Sequence, residues 1–391
     1  MNGCSLINNL FTADGNVKLF IRLELIEQII EKGNKSLKMF DVYKNKKVLI
    51  TGVTGFKGSW LYLWLKHAGA DVSGFGLLPD TNPSMYGILE MQNDINVSVG
   101  DIRDKSFVKN IIENHQPEII FHLAAQPLVN VSYENPEETF ETNINGLINL
   151  LEVIKTNNSV KSLVVVTSDK CYRNSGDRVK FTEDDALGGT DPYSASKSCA
   201  EIITNSYSRT ILNEKDLYIS SVRAGNIIGG GDWSKYRLIP DIIKSITNNT
   251  KLLIRYPNSI RPWQYVLDAL RGYLIVGEKL MNREIEKVTT FNFGPDDKKA
   301  LTVLEIAEHL VSEFGKRFDE IIEIENPKYY ESDYLQLDSS KANEVLKWYP
   351  ISDINYVLLK TSEWYKEYYT KNESKEICLK YLKDYIKLLN V

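Results

Sequence analysis

The stretch Lys47-Val48-Leu49-Ile50-Thr51-Gly52-Val53-Thr54-Gly55-Phe56-Lys57-Gly58 passes from an aliphatic strand through three glycines into the start of a helix. Gly52 permits a tight turn, Gly55 lets the backbone approach a diphosphate, and Gly58 lets the helix pack closely on the sheet. The helix N-terminus then faces the phosphates. The segment is therefore expected to bind a dinucleotide, with Thr54, Phe56 and Lys57 beside the glycines as contact residues.

Outward from this turn, short β-branched runs alternate with helical patterns, the mark of a parallel sheet covered on both faces. Strands are predicted near 47–51, 71–76, 95–99, 118–123, 161–167, 217–223 and 289–293. Helices are predicted at about 58–68, 104–114, 137–156, 193–213, 302–315 and 353–370. This is an α/β chain, a doubly wound Rossmann-type parallel sheet with a smaller C-terminal substrate-binding lobe. Residues 42–225 are expected to form the dinucleotide-binding domain, with a return segment at about 264–294. Residues 226–391 are expected to form mainly the substrate lobe, because Gly and Pro become denser after Arg223. Residues 1–41 form an extension outside the pattern, although Phe20, Leu23, Ile26 and Ile30 share one face of a possible short helix.

The sequence has 391 residues, and its formal net charge of -5 mixes 47 basic with 52 acidic side chains. Such a surface offers no broad positive field for nucleic acid or anionic membrane. Cys4, Cys171, Cys199 and Cys378 lack metal-ligand spacing, so no metal site and free thiols in a cytoplasmic protein are expected. No apolar run approaches the roughly 18 residues of a membrane span, and no signal-peptide pattern opens the chain.

Asp191-Pro192-Tyr193-Ser194-Ala195-Ser196-Lys197 opens a helix, with Tyr193 and Lys197 four residues apart on one face. A nearby ammonium favours tyrosinate, and bringing a tyrosine from about 10 to neutrality requires roughly 4 kcal/mol. Ser168 ends the preceding strand Val164-Val165-Val166. The G-x-x-G-x-x-G turn together with Ser168, Tyr193 and Lys197 resembles the extended short-chain dehydrogenases. The resemblance implies that Asp101 contacts adenine, next to Ile102, and that Leu123, Ala124 and Ala125 line the cofactor. The usual ribose-binding acid is missing from Ser73-Gly74-Phe75-Gly76-Leu77, and no Arg stands there for a 2'-phosphate, so NAD is the expected cofactor.

Asp169 and Lys170 narrow the reaction. An epimerase returns hydride to one carbon, whereas removing water across C5 and C6 needs both an acid and a base. Thr167-Ser168-Asp169-Lys170-Cys171-Tyr172 resembles the nucleotide-sugar 4,6-dehydratases, in the form with lysine in place of glutamate that the CDP-glucose branch carries. Phe121 to Val129, Leu187-Gly188-Gly189, Arg223-Ala224-Gly225-Asn226, Gly229 to Trp233, Arg261-Pro262-Trp263-Gln264 and Asn292 to Pro295 extend that resemblance over about 42–369. It implies that Tyr193 and Lys197, with Ser168, serve C4 oxidation and that Asp169 and Lys170 serve the elimination. It further implies that Gln126, Asn226, Arg255 and Arg261 bind the nucleotide sugar, CDP-glucose, and that helices 137–156 and 193–213 build a homodimer or a dimer of dimers. Trp233 and Trp263 either shape the pocket or pack in the core. Two other readings remain: another NAD-dependent dehydratase or epimerase, and a non-catalytic NAD-binding Rossmann protein.

Overall fold

A computed structural model describes residues 40–371, apart from 177–178, 255, 296–300 and 325–333, together with residues 375–389. The N-terminal helix face at Phe20 to Ile30, the thiol of Cys4 and the side chain of Arg255 lie outside the described residues. The central sheet is built from β1 (Lys47–Thr51), β2 (Asp71–Gly76), β3 (Val97–Val99), β4 (Ile119–His122), β5 (Ser162–Val166), β6 (Tyr218–Ala224) and β7 (Val288–Phe293). Its order is β7-β6-β5-β4-β1-β2-β3, and every pairing is parallel. The order reverses between β1 and β4, which opens a crevice beyond their carboxyl ends.

Alternate residues of each strand feed opposite layers. Leu49, Ile120, Leu163 and Val165 pack beneath α2 (Lys105–His115), α3 (Gly146–Thr156) and α4 (Pro192–Ser206). Ile50, Phe121, Val164 and Val166 pack on the other face against α1 (Phe56–His67) and, further along the chain, α6 (Val266–Met281). Complete burial of each such side chain contributes about 1.5–3 kcal/mol, which fixes the strand ends that carry the site. The expected helix at 137–156 is composite: Pro136–Phe140, a π turn at Glu141–Asn145, then α3. The helix expected at 193–213 likewise ends in a π turn, Tyr207–Ile211.

Beyond Ala224 the chain forms α5 (Leu238–Asn248), then α6, α7 (Val303–Glu313), α8 (Ile354–Lys371) and α9 (Lys375–Leu388). Two short parallel pairs, Ile227–Ile228 with Gln264–Tyr265 and Leu252–Ile254 with Ile322–Ile324, tie these segments together. Among the described residues no helix is long and apolar enough to cross a membrane.

Candidate active site

The glycine turn joins β1 to α1 at the reversal point. Gly52 has φ +71°, and a Cβ there would lie 2.7 Å from the Ala124 nitrogen. A Cβ on Gly58 would lie 2.1 Å from the Gly52 carbonyl oxygen, so only glycine allows this close packing. At Gly55, by contrast, the nearest atom to an added Cβ is 3.5 Å away and no side chain caps the helix. The amides of the first turn are thus left to a ligand, and these residues fit the diphosphate of a dinucleotide. Leu123 N–H and Ala124 N–H donate to the Thr51 carbonyl and hydroxyl at 3.0 and 3.2 Å, which seats the loop 123–125 alongside.

Several expected contact residues are used within the protein itself. The Thr54 hydroxyl donates to the Leu77 carbonyl at 2.7 Å and bolts the cradle to the end of β2. Asp101 is held by Arg103 at 2.6 Å, which keeps its carboxyl below the usual range, and its neighbour Ile102 packs in the core against Gly146. The Gln126 amide bonds to the Thr139 hydroxyl and to both backbone groups of Leu128. It shapes the loop and is not among the residues lining the cavity below.

On the far side of the crevice, α4 starts at Pro192, with the Asp191 carboxylate accepting from the Ser194 amide at 2.9 Å. This is a capped helix start with proline in its first turn. Tyr193 and Lys197 are both buried. After β5, the Ser168 hydroxyl donates to Asp169 Oδ1 at 2.9 Å and accepts from the Lys170 amide at 3.2 Å. Asp169 is 2% exposed, and its Oδ2 has no partner among the described residues.

Apart from Lys197, which is not among its lining residues, these groups converge on one cavity of about 360 Å³, a volume suited to a small-molecule ligand. Ser168, Asp169, Lys170 and Tyr193 line it together with Asn226, Arg261 and Trp263. Trp233, in contrast, packs among Trp364, Tyr365 and Tyr368. No group of three or more possible metal ligands occurs among the described residues.

Burial dominates the charges here. It raises the Asp169 carboxyl above its ordinary range, against Lys170, the Ser168 hydrogen bond and Arg261. Burial also raises Tyr193, opposed by its hydrogen bond with Ser168 and by Lys170 and Arg237. The Lys197 ammonium points at the Val166 carbonyl, 3.4 Å away, and burial lowers it to about 8. The phenol therefore keeps its proton until more positive charge enters the cleft. Lys57 reaches the same cavity from α1; burial, then Lys197 and Arg237, lower it to about 7.

Residues 49–361 match the family model described as GDP-mannose 4,6 dehydratase. CDP-glucose 4,6-dehydratase of Salmonella typhimurium is 43% identical over 343 residues, covering 86% of this chain and 95% of the relative. The chain belongs to the nucleotide-sugar 4,6-dehydratase family. In fold, the dehydratase superposes on DesIV, a dTDP-glucose 4,6-dehydratase from Streptomyces venezuelae solved with NAD, with a TM-score of 0.72 at 23% identity over 84% of this chain and 99% of that one. It also superposes on a UDP-glucose 4-epimerase from Thermotoga maritima, with a TM-score of 0.70 at 24% identity over 82% and 98%.

The dehydratase site also holds residues that the sequence did not single out. Arg237 lines the cavity at the N-terminus of α5 and pairs with Asp232 at 2.9 Å. Its sequence signal was the run Gly229 to Trp233, whose Asp232 has a basic residue five positions later.

Proposed function

We propose that this dehydratase converts CDP-glucose to CDP-4-dehydro-6-deoxyglucose and water, using NAD held on the glycine cradle. The observation that carries this reading is the presence of Asp169 and Lys170 in the same cavity as Ser168 and Tyr193. A redox-only enzyme has no use for that additional acid and base. The likeness to the Salmonella enzyme supports cytidine as the base.

NAD, when bound, supplies a hydride acceptor for C4 and later returns the hydride to C6. Tyr193 takes the proton of the C4 hydroxyl, and Ser168 holds the oxygen. The C4 ketone acidifies C5. Lys170, in its neutral form, removes the C5 proton, while Asp169 delivers a proton from its unpartnered Oδ2 to the departing C6 hydroxyl. C5 is then reprotonated, and the net loss is one water. Asn226, Arg261 and Arg237 are placed to hold the sugar diphosphate, for which a guanidinium is suited. The segments after residue 226 serve as the covering lobe, and a cytoplasmic setting agrees with free thiols at Cys171, Cys199 and Cys378. Exposed Phe140, Ile202 and Ile211 on the helical face that carries α4 support a homodimer.

The test is incubation of the purified protein and NAD with CDP-, dTDP-, GDP- and UDP-hexoses in turn, following the alkaline absorbance of a 4-keto sugar. Product from CDP-glucose well above the others is expected. Product from a different nucleotide would reassign the base, and inversion at C4 without water loss would make the protein an epimerase.

A further inference from the structure

Glu201 lies one turn beyond Lys197 and two turns beyond Tyr193 on the same face of α4, and it is 4% exposed. None of the chemistry above uses it. Its carboxylate accepts from the Ser221 hydroxyl at 2.7 Å, from the Arg223 guanidinium at 2.8 Å and from the Thr167 hydroxyl. Thr167 is the residue immediately before Ser168. Arg223, itself 3% exposed, stacks 4.8 Å over the Tyr172 ring and donates to the Tyr172 hydroxyl at 2.6 Å. Tyr172 is the residue immediately after the turn Asp169–Cys171. One buried ion pair therefore grips both ends of the six-residue segment that carries the acid and the base.

We propose that the Glu201–Arg223 pair is the positioning device of this turn, fixing Thr167 on one side and Tyr172 on the other so that Asp169 and Lys170 stay aimed at C6 and C5. The inference rests on the dehydratase reading and assigns it two residues that touch neither substrate nor cofactor. A shift of about 1 Å in a reacting group can cost on the order of 100-fold in rate, so a turn anchored at one end only would serve the elimination poorly.

The pair has a second effect through Lys197. The groups that face this ammonium are Lys57 from α1, His122 from β4, Cys171 from the turn and Glu201 from its own helix. Burial holds His122 down at about 3 and pushes the Cys171 thiol up, so both are neutral at ordinary pH. Among the described residues, the negative charge supporting the Lys197 ammonium then comes from Glu201. Removing it lowers Lys197 further, and the ammonium is lost earlier as pH rises.

The experiment compares the full chain with Glu201→Gln, Glu201→Asp and Tyr172→Phe, using NAD and CDP-glucose in single turnovers. Reduced-nicotinamide absorbance reports C4 oxidation, and loss of the C6 hydroxyl by mass reports elimination. Glu201→Gln is expected to move the alkaline limb of C4 oxidation to lower pH and to slow elimination by about 10- to 100-fold, with partial rescue in Glu201→Asp. Tyr172→Phe leaves Lys197 and its neighbours in place, so it should slow elimination alone and let reduced nicotinamide accumulate. A folded Glu201→Gln protein with an unmoved limb and an unchanged ratio of the two steps overturns the proposal. If Glu201→Gln does not fold, an unchanged ratio in Tyr172→Phe overturns it. If the unsubstituted protein forms neither reduced nicotinamide nor keto sugar from any nucleotide hexose, the dehydratase reading fails, and the proposal falls with it.

Discussion

Replacing Asp169 with asparagine separates catalysis from stability in opposite directions. The substitution keeps the shape and the oxygen that accepts from Ser168, but it removes the only proton that Oδ2 can deliver. General acid catalysis is worth about 10²–10⁴ in rate, or roughly 3–5 kcal/mol. The upper part of that range applies, because the atom is buried and has no hydrogen-bond partner among the described residues. In the proposed mechanism C4 oxidation rests on Tyr193 and should survive, so mixing enzyme, NAD and CDP-glucose should give reduced nicotinamide that persists. Stability should move the other way. Because burial raises this carboxyl above its ordinary 3.8, the folded protein keeps a proton that the unfolded chain has already released. The native state therefore loses stability as pH climbs from near 4 through the folded value. Each pKa unit of that rise corresponds to about 1.4 kcal/mol, a penalty that asparagine does not carry. At neutral pH the Asp169→Asn protein should melt above the unsubstituted one by calorimetry. Turnover within an order of magnitude of the original, or a block before C4 oxidation, would refute the assigned role.

Two further perturbations probe the cradle. Gly58→Ala places a Cβ 2.1 Å from the Gly52 oxygen; overpacking of this kind costs about 1–3 kcal/mol. NAD affinity by titration calorimetry and the Tm should both fall, and an unchanged affinity would mean that the glycine turn is not the diphosphate seat. Lys57 sits at about 7 when folded, against 10.5 for an ordinary lysine, so the unfolded chain binds its proton more tightly. Stability supplied by this residue should rise with pH between those two values. Lys57→Met should flatten that slope in melts taken across the range; an identical slope would place the ammonium in solvent.

The central strands β1, β4 and β5 were legible because they are buried on both faces, so each appears as a short apolar run whatever its neighbours do. Helix α6 was hidden for the opposite reason. Asp268 and Arg271 look like solvent residues, yet both are buried, and the Asp268 carboxylate accepts from Tyr385 and from the amides of Ile351 and Ser352. No local pattern announces partners more than 80 residues away. Helix α5 was missed because Arg237 precedes it without a side-chain cap. At the site, the turn 167–172 and the Tyr193–Lys197 spacing were readable because each set lies within one short stretch of sequence, at a strand end or on one helix face. Gln126 and Asp101 show the limit: each has a suitable functional group, but whether it faces a ligand or its own loop depends on Thr139 and Arg103.

The ion pair of Glu201 and Arg223 also restricts how this sequence can drift. Losing either partner strands the other's charge in the interior, at about 3–5 kcal/mol, whereas exchanging both for well-packed apolar side chains is often tolerated. Descendants of this chain are therefore confined to keeping both residues or changing them in concert, and single-step routes away from the present arrangement are closed.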